Sequence, residues 1–326
     1  MNWIPVSILS LLDSLSLLAT GTPGAGAGES EMNPLQALIL GIVEGLTEYL
    51  PVSSTGHLIV AQRFMGIGLE GQEKQAADCF AICIQAGAIL AVLGLYWPRV
   101  RQMILGLLGR DSEGLKLIVS LIAGFLPAAV IGLWLNDAIE ERLFGLKPVV
   151  GAWLVGGVAI LFVSRWMKRG GGSEGVDLAE ITWKMALVVG FAQCVAMWPG
   201  TSRSLMTILG GVLVGLRLAA AVEFSFLLGL ITLSAATAKK AVWKIDGLGE
   251  RYDAWGGGAL LMWDSYGFVP LLVGVIAATV SAALAVKWMV GYLNRRGLAV
   301  FGWYRIAIGI AVGALILVDF HGFGTA

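Results

Sequence analysis

The chain has 326 residues, 57% of them hydrophobic and only 13% charged, with 22 Lys+Arg against 22 Asp+Glu. A soluble domain carries about 25% charged residues, and a soluble globule of this size could not hide so much apolar surface, so the composition is that of an integral membrane protein. A formal net charge of zero removes any bulk electrostatic case for nucleic-acid binding, and 12 Trp residues argue against a disordered chain.

In chain order, residues 1–31 read as an extension. An apolar stretch, Ile4–Ala19, is interrupted by Asp13 and lacks the leading Lys or Arg of a signal peptide, and Thr20–Glu31 is a Gly/Ala linker. The body, 32–326, reads as a single membrane domain. Residues 35–50 hold Glu44 and Glu48, break at Pro51-Val-Ser-Ser-Thr-Gly56 and resume at His57–Met65. Three apolar spans follow: Cys79–Trp97, Leu117–Leu135 with Pro127 as an expected kink, and Pro148–Ser164. Residues 185–198 then break at Pro199-Gly-Thr-Ser-Arg-Ser204 and resume at Leu205–Leu216. Three more spans close the chain: Phe224–Ala238, which continues from Leu218 and carries Glu223, Ser265–Val286, and Gly302–Val318, the last apolar except for Arg305. The arms of the two broken segments have about 10–15 residues, too few to cross ~30 Å of hydrocarbon. The expected fold is therefore all-α and polytopic, with six transmembrane helices plus two re-entrant helical hairpins, which membrane proteins tolerate where protein or water lines the break. The residues 1–31 leave room for an extra N-terminal helix. Cys79, Cys83 and Cys194 lie in apolar runs without metal-binding spacing and read as small buried hydrophobes.

The two broken segments resemble each other. Ala37-Leu-Ile-Leu-Gly41 matches Ala186-Leu-Val-Val-Gly190 and sets Glu44 on Gln193; a one-residue gap then sets Pro51 on Pro199 and Ser54 on Ser202. Each precedes a span opening with Phe, at Phe80 and Phe224, so the chain reads as a duplicated unit, about 32–165 and about 183–320. The basic loops 98–116, 165–184 and 287–301 fall on one side, which is cytoplasmic by the positive-inside rule. Loop 136–148, with Glu140 and Glu141, falls outside, and loop 239–264, with Lys239, Lys240, Lys244 and Arg251, is the exception. The hairpins then enter from opposite sides, an inverted repeat whose broken helices meet near the midplane.

Glu44 and Glu48 share one helix face. Two carboxylates at membrane depth are costly unless paired, protonated or metal-bound; a hard divalent cation, Mg or Ca, with phosphate oxygens completing its shell, would hold them, and solvated interfacial acids are the plainer alternative. Ser53 or Ser54 is placed to cap the second arm, and a helix N-terminus is also an anion site. Ser54 and His57, three apart, can face the same space. Arg203 is the lone charge in Met185–Leu216, and its fork suits phosphate oxygens. Ser202 and Ser204 with backbone N–H groups could form a phosphate nest, with Thr207 on the same face. The competing reading pairs Arg203 with Glu44 or Glu48 in a buried salt bridge.

Glu44-Gly-Leu-Thr-Glu-Tyr-Leu-Pro-Val-Ser-Ser-Thr-Gly-His57 and Pro199-Gly-Thr-Ser-Arg-Ser204, with Thr207, resemble the two signature motifs of bacterial undecaprenyl-diphosphate phosphatases, the bacitracin-resistance type. The resemblance spans about 32–320 and includes Gln85 and Phe224-Ser-Phe-Leu-Leu228. It implies hydrolysis of the C55 polyprenyl diphosphate to the monophosphate and phosphate, which recycles the lipid carrier of cell-wall synthesis and confers bacitracin resistance. It also implies a multi-pass protein of the bacterial inner membrane, a site open to the periplasmic side and dependence on a divalent cation. By motif position it carries over Glu44, Glu48, Ser54, His57, Ser202, Arg203 and Thr207. The roles expected are catalytic for Ser54, His57, Glu48 and Arg203; phosphate-binding for Ser53, Ser202, Arg203, Ser204 and Thr207; and metal-binding for Glu44 and Glu48. The nucleophile is open among Ser54 with His57 as base, His57 itself, and a metal-bound water. Residues 1–31, and Thr232 in place of an expected Pro, depart from the pattern. The expected partners are the lipid substrate and the bilayer, with no nucleic acid and with a homodimer left open. The rival class is a transporter or flippase that binds an anionic polyprenyl phosphate lipid at the same site without hydrolysing it.

Overall fold

The computed structural model describes residues 32–69, 71–143, 145–169, 175–242, 252–253, 255–320 and 323. The N-terminal extension, Lys244, Arg251 and the side chains of Glu140 and Glu141 lie outside the described residues. Twelve α-helices account for nearly all of the rest: α1 (Pro34–Glu48), α2 (Ser54–Met65), α3 (Gly71–Leu95), α4 (Trp97–Leu107), α5 (Ser112–Leu143), α6 (Leu146–Lys168), α7 (Trp183–Val195), α8 (Arg203–Leu213), α9 (Leu218–Val242), α10 (Gly257–Tyr266), α11 (Phe268–Arg296) and α12 (Ala299–Leu317). Six of them, α3, α5, α6, α9, α11 and α12, are long and apolar enough to cross a membrane, and they are the six spans expected from the sequence. α5 carries Pro127 in its interior and runs through it without a break.

Four of the six short helices form the two broken pairs, α1/α2 of 15 and 12 residues and α7/α8 of 13 and 11. At 1.5 Å per residue each arm is at most about 22 Å long, which fits helices that enter the membrane without crossing it. Local chemistry sets their ends. Asn33 and Gln36 close a capping box before Pro34 at the start of α1, and Thr182 caps α7 by accepting from the Met185 N–H at 3.2 Å. Pro51 and Pro199 sit in the breaks, where a missing N–H costs the helix nothing.

The helix pairing has two-fold character. α1 packs on α11 and α7 packs on α5, while α3 meets α9 and α6 meets α12. The equivalent contacts are close enough to demand glycine. A Cβ on Gly41 would run into the carbonyl oxygen of Gly274, and a Cβ on Gly190 would run into that of Gly124. An offset of 149 residues takes Gly41 to Gly190, Glu44 to Gln193 and Ser53 to Ser202. Ser53 and Ser202 precede α2 and α8 and share an unusual backbone, φ 74° and 77°. The one-residue gap read from the prolines is therefore not needed, and Ser54 corresponds to Arg203 rather than to Ser202.

The basic segments gather at one end. Arg99 bonds Glu223 at 2.7 Å, Lys116 donates to the Ala179 carbonyl at 2.7 Å, and Tyr96, Met167, Leu293 and Leu298 belong to one apolar cluster. α10 lies at the other end, where the Tyr266 hydroxyl reaches the Glu73 carbonyl at 3.5 Å.

Candidate active site

The two breaks meet inside the helix bundle and are stitched together by hydrogen bonds. Ser204 Oγ donates to the Leu50 carbonyl at 2.9 Å, and Trp153 Nε1 of α6 donates to Val52 O at 2.9 Å. Arg305 of α12, 0% exposed, binds both breaks at once. Its Nη1 donates to Pro51 O at 3.3 Å and Thr201 O at 3.2 Å, and its Nη2 to Ala152 O at 2.8 Å and Gly200 O at 2.9 Å. Gly156 leaves room for the guanidinium, which a Cβ there would strike. These bonds hold in place the left-handed backbone of Ser53 and Ser202, a conformation that costs a non-glycine residue about 1–3 kcal/mol.

The first residues of α2 and α8, Ser54 and Arg203, occupy equivalent positions and grip the two oxygens of one carboxylate. Ser54 Oγ donates to Glu48 Oε2 at 2.5 Å, and Arg203 Nη2 donates to Glu48 Oε1 at 3.1 Å. Arg203 also donates to Ser225 O at 3.1 Å and lies over the Tyr49 ring, 5.6 Å from its centroid. The Gln85 amide approaches Glu48 Oε2 at 3.5 Å. The Arg203 and Glu48 side chains are 11% and 5% exposed, so this is a buried ion pair, and the plainer reading of Glu44 and Glu48 as solvated acids fails. A pocket of about 130 Å³ opens beside the pair, lined by Glu48, Ser53, Ser54, Gln85, Ser202 and Arg203 among others. That is room for about four waters, which suits a phosphate group.

The expected site residues therefore divide. Glu48, Ser53, Ser54, Ser202 and Arg203 line the pocket. Ser204 and Thr207 lie behind it, both 0% exposed. Ser204 is committed to Leu50 O and to Ser202 Oγ at 3.0 Å, and Thr207 to Ser225 Oγ at 2.6 Å. They brace the break rather than form a phosphate nest. The expected cap on α2 is also absent: Ser53 makes no side-chain cap bond, whereas Ser202 caps α8 by accepting from Leu205 N at 3.2 Å. His57 does not line the pocket. Its Nδ1 meets Ser53 O at 2.6 Å, its Nε2 meets the Tyr304 hydroxyl at 2.8 Å, and its ring stacks on Tyr304 and leans on Trp153. The expected Ser54–His57 pair is not formed, because the carboxylate of Glu48 takes the serine hydroxyl.

Arg305, Trp153 and Tyr304 were not among the expected site residues. Arg305 carried a usable signal, since a lone charge in a membrane span marks a functional position until shown otherwise. Trp153 and Tyr304 carried none, as an aromatic residue in an apolar helix reads as packing.

Glu44 lies one turn from Glu48, 1% exposed, and both its carboxylate oxygens are buried without a hydrogen-bond partner. An orphaned buried carboxylate beside a second one fits a hard cation. Among the described residues no cluster of three His, Cys, Asp or Glu side chains gathers, so a divalent cation would draw its remaining ligands from substrate oxygens or water.

Fold and site together define a polytopic helical membrane protein with a phosphate-sized polar pocket enclosed where two broken helices meet. Residues 37–311 match the family described as Bacitracin resistance protein BacA, and the chain belongs to that family. It is 42% identical over 276 residues to an Undecaprenyl-diphosphatase of Sorangium cellulosum, covering 85% of this chain and 84% of that protein. It is 43% identical over 278 residues to Undecaprenyl-diphosphatase 2 of Rhodospirillum rubrum, covering 85% and 93%. It is 41% identical over 288 residues to an Undecaprenyl-diphosphatase of Ectopseudomonas mendocina, covering 87% and 95%.

Proposed function

We propose that this chain hydrolyses undecaprenyl diphosphate to undecaprenyl phosphate and inorganic phosphate, recycling the lipid carrier of cell-wall synthesis and so conferring bacitracin resistance. The observation that carries the reading is the convergence of Ser54 and Arg203, from equivalent positions of the two breaks, on the carboxylate of Glu48. It supplies a hydroxyl nucleophile, a base in contact with it and a guanidinium for the phosphate, all lining one pocket.

In this reading the terminal phosphate enters beside Arg203 and competes with Glu48 for the guanidinium, whose planar fork suits two phosphate oxygens. Glu48, released from that pairing, accepts the proton of Ser54 while Ser54 Oγ attacks the terminal phosphorus. The bond from that phosphorus to the bridging oxygen breaks, and the electron pair leaves on the bridging oxygen as undecaprenyl phosphate. Glu48 passes that proton to the departing undecaprenyl phosphate; a water then attacks the serine phosphate with Glu48 taking its proton, the bond from phosphorus to Ser54 Oγ breaks, and the proton returns from Glu48 to Ser54 Oγ as inorganic phosphate departs. Arg203 and the N–H groups opening α2 and α8 offset the charge that builds on the phosphoryl oxygens. Glu44 and Glu48 are the residues that would hold a divalent cation, which would supply further positive charge. His57 orders the Ser53 turn from behind the pocket. The site is read as opening to the periplasmic face of the inner membrane, as the resemblance of the two motifs implies, with the basic end taken as cytoplasmic.

Purified protein in detergent, given undecaprenyl diphosphate, should release phosphate, and Glu48→Gln should abolish that release while leaving substrate bound. Binding without release by the wild-type protein would favour a carrier over a hydrolase.

A further inference from the structure

α5 and α7 run side by side and begin at the same, basic end of the molecule, so their N-termini open into a shared groove. The groove is open, measures about 580 Å³ and shares no lining residue with the pocket just described; Lys116, Ser120, Trp183 and Lys184 are among the residues that line it. Four features of it are unexplained by the hydrolytic site. Lys116 and Lys184 stand within the opening turns of their helices, where the helix dipole disfavours a cation. No carboxylate pairs with either lysine among the described residues. Of the acids nearby, Asp111 accepts from Gly114 N and Glu180 from Asp177 N, while Glu113 lines with Lys116 a neighbouring cleft without pairing to it; Lys184 lies over the Trp183 ring, 5.7 Å from its centroid. Ser120, 1% exposed at the groove floor, has a hydroxyl with no hydrogen-bond partner. Last, Leu115, Val119 and Trp183 form an exposed apolar wall, continuous with the surface that faces lipid tails.

An anion would answer all four. It would neutralise two lysines and give the Ser120 hydroxyl an acceptor, at two helix starts whose Gly114 and Met185 N–H groups are already capped by Asp111 and Thr182. The apolar wall beside the cations requires that the anion carry hydrocarbon. We propose that this groove binds an anionic glycerophospholipid of the surrounding leaflet, its phosphate between Lys116 and Lys184 and an acyl chain along Leu115 and Val119. Lys116 lines both this groove and the neighbouring cleft, where it spends one of its three donors on Ala179 O at 2.7 Å, and two donors are left for the headgroup. Basic recesses between helices at the cytoplasmic boundary are the usual seat of such headgroups, and Trp183 anchors the same boundary.

The test is native mass spectrometry of the purified full chain titrated with phosphatidylglycerol or phosphatidylcholine. The wild-type protein should retain one phosphatidylglycerol in preference to phosphatidylcholine. Lys116→Gln/Lys184→Gln should weaken that retention about tenfold or more, since each lysine near the membrane surface adds to anionic-lipid attraction. Arg295→Gln/Arg296→Gln, at the same basic end but outside the groove, should not change it. Ser120→Leu fills the floor with both charges kept, so it tests the site should the double lysine variant fail to fold, and it too should lose the lipid. Equal retention in the groove variants and the wild type, or equal retention of the two lipids, would overturn the proposal. Displacement of the bound phospholipid by undecaprenyl phosphate at a lower concentration would also overturn it, in favour of a product site.

Discussion

Replacing Arg305 by Met should disarm the site without touching any residue that lines the pocket. The guanidinium makes four bonds of 2.8–3.3 Å to Pro51, Ala152, Gly200 and Thr201 carbonyls, in full burial and with no carboxylate partner among the described residues. A hydrogen bond to a charged group contributes about 1.5–3 kcal/mol net, and burying the charge offsets part of the sum. Met keeps the apolar stem and removes the desolvation cost, yet takes the partner from the Pro51, Gly200 and Thr201 carbonyls at about 1–3 kcal/mol each, while Ala152 O keeps its bond within α6. The turns at Ser53 and Ser202 can then relax, recovering about 1–3 kcal/mol apiece. The net loss is about 2 kcal/mol at the middle of these ranges, a sizeable part of the 5–15 kcal/mol that holds a typical domain. The protein should fold with a clearly lowered unfolding temperature. As Ser54 and Arg203 each follow a relaxed turn by one residue, turnover should fall at least 100-fold, equivalent to about 2.7 kcal/mol. Arg305→Lys keeps the charge but reaches fewer carbonyls, so it should recover part of the stability and little of the turnover. Phosphate release and thermal unfolding in detergent give both readouts. Turnover within twofold of wild type in Arg305→Met would refute the reasoning, because the breaks would then hold their shape without the stitch.

Arg203→Lys should be nearly as damaging as Arg203→Ala in single-turnover hydrolysis, because an ammonium cannot hold Glu48, Ser225 O and a phosphate as a planar fork does; more than half of wild-type turnover in the Lys variant would exclude the clamp. Ser54→Ala and Glu48→Gln share one hydrogen bond, so their double variant should lose little more than either alone, whereas Ser54→Ala and His57→Ala, which share none, should lose activity additively. Gly41→Ala and Gly190→Ala fill equivalent helix contacts and should each destabilise the protein by about 1–3 kcal/mol in chemical unfolding; a large effect at one and none at the other would deny the equivalence of the two halves.

Much of this architecture is written in the sequence because membrane spans are long and one-dimensional. The six apolar runs and the two breaks at Pro51 and Pro199 needed only length and hydropathy. Glu48, Ser54 and Arg203 stood out because polar and charged groups at membrane depth need partners. What the sequence could not supply was direction. Ser54 lies six residues from Glu48 and three from His57, and spacing favoured the histidine; the left-handed turn at Ser53 swings the hydroxyl to the carboxylate instead. Ser204 and Thr207 carry the same hydroxyls as Ser54, yet they point to Leu50 O and Ser225 and so serve the packing. Arg305 lies 254 residues from Pro51, and no periodicity links the two. The prolines also misled: matching Pro51 to Pro199 inserted a gap that the shared φ values of Ser53 and Ser202 remove.

The most direct test of the central claim is to acid-quench the protein during turnover of undecaprenyl diphosphate labelled in its terminal phosphate and to locate the label on the chain. Attack by Ser54 with Glu48 as base predicts an acid-stable phosphoserine at position 54, absent from Ser54→Ala and from Glu48→Gln. An acid-labile label on His57, or full turnover with no label on the chain, would contradict it.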